Sequence, residues 1–461
     1  MHSPAFVVRS HVPLAAILAV LSGCAGPIPE TAPGAASSRA TGLAEDLELR
    51  TTWDAPETAS AWPAERVLRE ADGLALALRN SPELQVALAE ARLALHGAEG
   101  ARLWANPLLS VVVRWGEGRP AVETGLTAPL LELLQTPRRA AVADARLRAA
   151  SARCIAVALD VAAAWREAYA EAVAAEAALP ELRARDELLT RLADVVDRRL
   201  QAGESDASEA ASVRARRADA EIETAAAMAR VAAARGRLAL HLGCPSAIAD
   251  WPIEANPEPP LPAANYAEQA LRARPELHEA AWELQALGDE AALAALAVWR
   301  DAGLGVSAER PDGWEFGPAF SLPLPLFDLG GNAKDTAEAA CLAARHRWTA
   351  CARAILGEVR AAERDHRAAQ DMLAAVRDRL APLQQERLRL AEAAWRAGAA
   401  DITAVLLADE ERRATRLRIV ELTRDVRIAR IRLDRAASGL ADAPSPEFAD
   451  DPMPRTTRED R

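Results

Sequence analysis

The chain has 461 residues, which is enough for two or three ordinary domains or for one elongated one. Only 4% of the residues are aromatic and 26% are charged, a composition that favours long helices packed through small residues over a compact aromatic core. The net charge is −12 and no basic blocks occur, so nucleic acid is not expected as a partner. The five cysteines form no C-x-x-C pair and the seven histidines are scattered singly, so neither a metal site nor a cofactor is predicted.

The amino-terminal stretch is predicted to be a targeting segment. Arg9 precedes an apolar run over residues 12–21. This run is too short to span a bilayer, because a helix needs about 20 residues to do so. The run ends in Leu-Ser-Gly-Cys, which resembles the bacterial lipobox. Residues 1–23 are therefore predicted to be a signal peptide and Cys24 to be lipidated, the alternative being a chance cysteine in an ordinary signal peptide. Residues 24–62, with Pro, Gly, Ser and Thr throughout, are predicted to form an irregular lead-in.

The rest of the chain contains one pattern twice. The stretch LRNSPELQVA at 78–87 returns as LRARPELHEA at 271–280, and LQAGESDASEA at 200–210 returns as WRAGAADITAV at 395–405. The common spacing of about 195 residues is too long for a solenoid repeat and indicates the duplication of a whole domain. The two copies are predicted to be residues 63–250 and 251–440, followed by a disordered tail at 441–461.

Each copy contains two short runs of alternating residues around a turn, which predict a β-hairpin at 108–128 and another at 303–323. Apolar residues on one face and polar residues on the other, with aromatic residues near the ends, are typical of transmembrane barrel strands. Four strands alone leave open edges, which a bilayer core does not tolerate, so a barrel would need strands from several chains. The alternative is a pair of half-buried soluble hairpins.

Long helical patterns follow each hairpin. From Thr136 to Gly203 only Pro180 interrupts the pattern, and apolar residues three or four positions apart predict coiled-coil-like seams. Pro180 and Pro382 are expected to kink these helices or to mark breaks between stacked ones.

Each long helix is predicted to end at a glycine and to be followed by a returning helix, with turns near 203 and near 398. Gly203 and Gly398 suit the left-handed position that follows a helix. Ser205 or Asp206 in the first copy, and Asp401 in the second, are expected to cap the returning helices.

These features together resemble the outer-membrane factor (TolC-like) family, and the resemblance covers nearly all of residues 63–440. The sharpest matches are PLPLFDLGG, after the second hairpin, and RAGAADITAVLLADEERR at 396–413. The resemblance implies a mainly α fold with a small β part and duplicated helix–β-hairpin–helix units. Three chains would close a twelve-stranded transmembrane β-barrel, which a long α-helical barrel continues into the periplasm.

The same resemblance implies a passive exit duct and no enzymatic activity. Its partners would be a periplasmic adaptor, an inner-membrane pump, outer-membrane lipid and two further copies of the chain. The form LPLPLF resembles members that work with heavy-metal and other cation exporters, while export of drugs or solvents fits as well. Toxic cations and small organic compounds both remain candidate substrates.

In this family the periplasmic turns often carry acidic side chains that ring the narrow end of the tunnel. The candidates here are Gly203, Glu204, Asp206, Glu209, Gly398 and Asp401. Further along the second copy lie Asp409 and Glu410, whereas Ala400, Ala404 and Leu407 stand where relatives can carry constricting charges. The gate is therefore expected to rest mainly on the first copy or on apolar contacts, with helix capping and solvated helix faces as the equal alternative for these acids.

Two other classes of protein compete with this interpretation. A periplasmic adaptor also has a helical hairpin and often a lipid anchor, but normally shows one hairpin beside a compact all-β domain. A structural coiled-coil lipoprotein leaves the matched strand pairs unexplained. An enzyme is the least supported class, because the sequence shows no nucleophile–base set, phosphate loop or metal cluster.

Overall fold

The computed structural model describes residues 27–28, 31–50, 67–115, 120–243, 251–255, 265–310, 314–327 and 329–437. The predicted signal peptide, Cys24 and the predicted tail lie outside these residues. The chain divides into two compact units. The sheet unit comprises Met1–Thr31, Leu93–Leu147 and Glu283–Ala344, and the helical unit comprises Ala32–Arg92, Arg148–Trp282 and Arg345–Arg461. Each unit therefore takes segments from both sequence copies.

Apart from the first helix, the described elements follow nearly the same order twice, with one long helix of the first series replaced by two in the second. The first series is α1 Pro33–Thr41, α2 Glu70–Asn80, α3 Pro82–Ala101, β1 Leu108–Arg114, β2 Ala121–Pro129, α4 Leu130–Gln201 and α5 Ala207–His241. The second series is α6 Tyr266–Ala273, α7 Pro275–Ala294, β3 Gly303–Arg310, β4 Glu315–Ser321, α8 Gly331–Ala375, α9 Ala381–Arg396 and α10 Ile402–Ala436. The predicted mainly helical fold with a small sheet and duplicated units is confirmed.

The prediction that the lead-in is irregular is wrong for α1. Pro33 stands at the start of this helix, where its missing N–H costs nothing. The hydroxyl of Ser38 accepts a hydrogen bond from the Leu47 N–H at 2.9 Å, which folds the following residues back onto the helix. Ala40 packs against Ile155 and Leu159 of α4. Burial against α4 therefore makes this stretch regular, which its composition does not indicate.

The two predicted hairpins join into one antiparallel sheet with the order β1-β2-β3-β4. Leu109 pairs with Leu126, which pairs with Val306, which in turn pairs with Pro318. Because directly paired residues share a face, this row and every second row lie on one face of the sheet. The pairing of β2 with β3 joins the two sequence copies within a single sheet.

The chain leaves β4 through a glycine that tolerates no side chain. Gly330 has φ of 82°, and a Cβ atom there would lie 2.6 Å from Cγ2 of Val298. Both the left-handed backbone and the close contact therefore require glycine. Helix α8 begins at the next residue, as the double glycine of the sequence predicts.

The two prolines inside the helical patterns behave differently. Helix α4 runs for 72 residues through Pro180, so the predicted alternative of a break at that residue is wrong. In the second copy a π-helical turn at Val376–Leu380 separates α8 from α9 immediately before Pro382. The wider π turn accommodates the carbonyl groups that a proline ring leaves without a donor, so Pro382 does interrupt regular α-helix.

The core of the helical unit surrounds two fully buried aromatic residues of α4, Trp165 and Tyr169. The Trp165 indole N–H donates to the Glu70 carbonyl at 3.0 Å. The Tyr169 hydroxyl lies 2.9 Å from the Leu68 carbonyl oxygen and 2.6 Å from that of Glu254. Burial and the nearby Glu70 carboxylate raise the pKa of Tyr169 to about 12. The phenol therefore stays protonated and ties α4 to both flanking segments.

Residues one position apart in the alignment of the two copies cap the carboxyl ends of the returning helices. In the first copy the Asn80 amide donates to the Leu242 carbonyl at 2.8 Å. In the second copy the Arg274 guanidinium donates to the carbonyls of Arg435 and Ala436 at 3.2 and 3.1 Å. Both contacts satisfy carbonyl groups that a helix end leaves free. Both copies thus cap the returning helix from the same short segment, with a different residue type at a position shifted by one.

No helix among the described residues is both long enough and apolar enough to cross a membrane.

Candidate functional site

The helical turns of the two copies have the same backbone geometry. Gly203 follows α4 with φ of 78°, and Gly398 follows α9 with φ of 68°. The Glu204 N–H donates to the Arg199 carbonyl at 2.8 Å, which closes the last turn of α4. The Ala399 N–H donates to the Ala394 carbonyl at 2.9 Å in the same way. Both turns therefore use the left-handed glycine that ends a helix.

Two of the candidate acids in the first copy are engaged in capping α5. The Asp206 carboxylate accepts the Glu209 N–H at 2.7 Å, as an N-cap residue does. The Glu209 carboxylate accepts the Ser205 hydroxyl at 2.6 Å. The Glu204 side chain is exposed to solvent at the tip of the turn. Asp206 and Glu209 thus have local structural partners, and Glu204 presents its charge outward.

An ion pair joins the turn of one copy to the turn of the other. The Arg199 guanidinium, in the last turn of α4, donates to the Asp401 carboxylate before α10. The same guanidinium reaches the Glu204 carbonyl at 3.3 Å. The Thr403 hydroxyl donates to the Asp401 carboxylate at 3.0 Å. Asp401 occupies the N-cap position, but its side chain makes no capping bond, so its predicted capping role is wrong because Arg199 and Thr403 take up the carboxylate.

Sequence reasoning does not single out Arg199. A basic residue in the last turn of a helix is ordinarily explained by the helix dipole. The partner of Arg199 is 202 positions away in the sequence, and no short motif marks that distance. The one available signal is that Arg199 and Asp401 lie beside equivalent turns of a duplicated unit.

The acids further along α10 are paired with arginines and stand away from the turn. The Glu410 side chain is 12% exposed and lies 3.1 Å from Arg185 and 3.5 Å from Arg216. Burial alone would raise the pKa of Asp409, but hydrogen bonds from Arg412 and Arg413 outweigh it and lower the pKa. The Asp409 carboxylate is therefore charged at neutral pH and is held by arginines of its own helix. Glu410 joins α10 to α4 and α5.

Leu407 contributes to packing beneath the turns. Leu406 and Leu407 lie against a buried cluster on α4 and α5 that includes Leu192 and Val196. Ala404 is exposed. The second copy thus meets the first through apolar contact at this level and through the Arg199 ion pair at the tip.

The two faces of the sheet differ in chemistry. One face carries Leu109, Leu126, Val306, Phe316 and Phe320, all exposed in the single chain. The opposite face carries a row of small or polar residues, Ser110, Gly125, Ser307 and Gly317. The next row on that face holds Val112, Glu123, Glu309 and Glu315, and Arg114 lies 2.7 Å from Glu123. One face thus suits lipid and the other suits water.

No group of metal-ligating side chains is found among the described residues. The described cysteines Cys154, Cys341 and Cys351 are free thiols. Cys154 is buried with its sulfur 3.6 Å from the Ser37 hydroxyl, and burial raises the pKa of this thiol. A thiol of this kind is unreactive and serves packing.

A sequence profile of the family described as "Outer membrane efflux protein" matches residues 266–439. This stretch belongs to the outer membrane efflux protein family. The match covers α6 to α10 and includes Arg274, the π turn and Asp401. The predicted family and outer-membrane location are thereby confirmed. The main interpretation of the chain as an efflux channel component is confirmed as well. No curated protein matches the sequence.

Solved structures of efflux channels share the fold of this chain. CusC is 18% identical with a TM-score of 0.67, and the match covers 86% of this chain and 99% of that one. VceC from Vibrio cholerae is 19% identical with a TM-score of 0.66, covering 80% and 96%. MtrE of Neisseria gonorrhoeae, described in an open state, is 17% identical with a TM-score of 0.62, covering 86% and 97%. The fold therefore extends over most of the chain, which decides against the adaptor and the coiled-coil alternatives.

Proposed function

We propose that this outer membrane efflux protein acts as a homotrimer that forms the exit duct of a tripartite efflux system. The observation that carries the proposal is the sheet with one apolar and one polar face. Its two edge strands are β1 and β4, at opposite ends of the strand order. A sheet with open edges is not stable in hydrocarbon, because each unpaired backbone group costs several kcal/mol. Pairing β4 of one copy with β1 of the next removes every edge.

Three copies give twelve strands, which close a barrel whose interior is wide enough for water. The apolar face with Phe316 and Phe320 then meets lipid. The face with Ser110 and Ser307 lines the lumen. This arrangement accounts for the exposed leucines and aromatics of the single chain, which a soluble monomer would have to hide.

A duct of this kind supplies passage and no energy. We infer that an inner-membrane pump drives transport and that a periplasmic adaptor links the pump to the helical turns. The support for both partners is the family to which residues 266–439 belong. The protein would accordingly have no enzymatic activity and would need no cofactor.

The periplasmic gate would lie at the turns at Gly203 and Gly398. The Arg199–Asp401 ion pair joins the two helical pairs at their tips, so breaking it would free one pair to move against the other. Glu204 is exposed at the same level, and three copies would present a ring of carboxylates that attracts cations. Asp206 and Glu209 would support this ring by fixing the start of α5.

Cations are the substrate class that the lumen chemistry favours. Glu123, Glu309 and Glu315 occupy one register row of the lumen face, and Arg114 neutralises the first of them. Three copies would place a ring of excess negative charge in the barrel, which favours cation entry over anion entry. Small organic cations and metal cations both fit this chemistry.

The experiment is conductance of the purified full-length protein in planar bilayers under a salt gradient. Defined single-channel steps and a cation-over-anion preference are expected. The combined variant Glu123→Gln, Glu309→Gln and Glu315→Gln should keep the steps but lose most of the preference, more clearly at low salt. The control Glu268→Gln changes an exposed acid of the helical unit and should leave the preference intact. A protein without steps would overturn the channel, and an unchanged preference in the triple variant would overturn the lumen assignment.

Anchoring by lipid at Cys24 is a separate part of the proposal. Its support is the Leu-Ser-Gly-Cys sequence at the end of the apolar run. Mature protein should incorporate labelled palmitate and begin at Cys24, and Cys24→Ala should abolish incorporation. Mass spectrometry showing an unmodified thiol at Cys24 would contradict it.

A further inference from the structure

We propose that the outer membrane efflux protein carries an apolar collar below its sheet, and that the collar lies among the acyl chains of the periplasmic leaflet. The collar consists of Leu130, Leu134, Leu322, Leu324, Leu326 and Phe327. The inference rests on the proposed barrel, and it extends the lipid-contacting surface from strands to the segments where strands become helices.

The two edge strands are short for a membrane. Strands β1 and β4 have seven residues each, whereas a tilted transmembrane strand needs about 9–11. Seven residues at about 3.3 Å and a tilt of roughly 45° cover about 16 Å, and the apolar band of such barrels is about 25 Å tall. Roughly 9 Å of hydrocarbon therefore remains to be matched by other parts of the chain.

The collar residues that follow β4 are strongly exposed although they are apolar. Leu322, Leu324 and Leu326 are 63%, 75% and 77% exposed, and Phe327 is 101% exposed. Pro323 alternates with them and lacks an N–H, so the segment cannot extend the sheet as a paired strand. The segment from Leu322 to Phe327 contains no charged residue. Such a surface is costly in water and favourable in lipid.

The start of α4 also exposes apolar side chains, and it covers polar ones. Leu134 is 71% exposed, while Thr136, two residues further, is 3% exposed. The Glu132 side chain is 27% exposed and lies 3.8 Å from Arg139. Leu130 and Leu134 are thus exposed while Thr136 and Glu132 are largely covered, the reverse of a helix facing water. Arg138, one turn below Leu134, is exposed where a lipid phosphate would be met.

Two hydrogen bonds place both parts of the collar at one level of the sheet unit. The Leu130 N–H donates to the Ala302 carbonyl at 3.1 Å. The Ser321 hydroxyl donates to the neighbouring Asp301 carbonyl at 3.3 Å. The start of α4 and the exit of β4 therefore flank the same two residues. The collar continues the apolar face of the sheet by the height that the strands lack.

The test places the photoreactive residue p-benzoylphenylalanine at single positions of the full-length protein in vesicles of phosphatidylethanolamine and phosphatidylglycerol. Position 327 and, separately, position 134 probe the collar, so that one poorly folding variant does not end the test. Position 316 on the apolar sheet face is the positive control. Position 383, where Leu383 is 68% exposed on α9, is the negative control.

Irradiation should add the mass of one phospholipid to the peptides around positions 316, 327 and 134 and leave position 383 free of lipid. A cross-linked dimer at 327 and 134, with lipid at 316, would overturn the collar in favour of contact with a second copy. Protein without any adduct at 327 and 134, with lipid at 316, would place the collar in water and also overturn it. Absence of lipid at 316 as well would instead overturn the proposed barrel.

Discussion

Breaking the Arg199–Asp401 ion pair should open the channel. The Arg199 and Asp401 side chains are 29% and 42% exposed, so the ion pair in each copy stabilises the closed state by about 0.2–1 kcal/mol. If three copies open together, the closed state loses about 0.6–3 kcal/mol, which corresponds to a rise of about 3-fold to about 150-fold in the open-to-closed ratio. Arg199→Ala and Asp401→Asn are the two single changes, and each should give this result because each removes the same contact.

The assay is the open probability of single channels in planar bilayers, measured at low and at high salt. The effect should shrink at high salt, where the wild-type pair is already screened. A matched control is Arg214→Ala, because Arg214 pairs with Asp197 at 2.8 Å with exposures of 58% and 36% but joins α4 to α5 of the same copy. This control should leave the open probability unchanged.

The charge-swapped double variant Arg199→Asp with Asp401→Arg should return the open probability towards the wild-type value. Unchanged gating in both single variants, with intact folding, would refute the role of the pair. An equal effect in Arg214→Ala would also refute it, since any loss of helical charge would then suffice.

Three further results are expected. Arg274 is 6% exposed, and Arg274→Met should lower the free energy of unfolding by about 3–5 kcal/mol, seen as a melting temperature several degrees lower. The control Arg272→Ala changes an exposed neighbour and should lower it by at most about 1 kcal/mol. Gly330→Ala forces a left-handed alanine against Val298 and should cost about 1–3 kcal/mol or more by the same measurement, and an unchanged melting temperature would contradict the assigned geometry. Burial alone would raise the pKa of Glu276, but the charges of Arg435 and Arg274 outweigh burial and hold the pKa below its ordinary 4.5. The ionised carboxylate should therefore stabilise the fold above pH 4.5, and this stabilisation should be lost as the pH falls further. The melting temperature of Glu276→Gln should depend less on pH in that range.

The hairpins and turns are predictable from sequence because they depend on local patterns. Alternation with a period of two places the strands within a residue or two of their observed ends. The glycines at 203 and 398 mark the turns because the left-handed backbone strongly favours that residue. The double glycine at 330 and 331 is a signal of the same kind.

The missed features depend on contacts that are distant in sequence. The pairing of β2 with β3 and the ion pair of Arg199 bring together residues from different copies. Helix α1 is regular because Ala40 packs on α4, which its Pro-rich and Gly-rich surroundings do not reveal. At Pro180 the helix continues because tertiary packing outweighs the local cost of proline.

The residues proposed for the gate show the same division. Local rules predict Ser205 or Asp206 as the cap of α5, and Asp206 is the cap, since the N-cap bond spans three residues. The same rules fail for Asp401, whose carboxylate is bound by Arg199 across the two copies. Sequence patterns thus identify the turns, and only the folded chain shows which acid connects them.

The central claim is that three copies of this chain close one barrel. The most direct measurement is native mass spectrometry of the protein released from detergent or nanodiscs. The account predicts a single species of three chains, each close to the 49.1 kDa of the full sequence less its predicted signal peptide. A stable monomer that retains its β-sheet signal and forms single-channel steps would contradict the account.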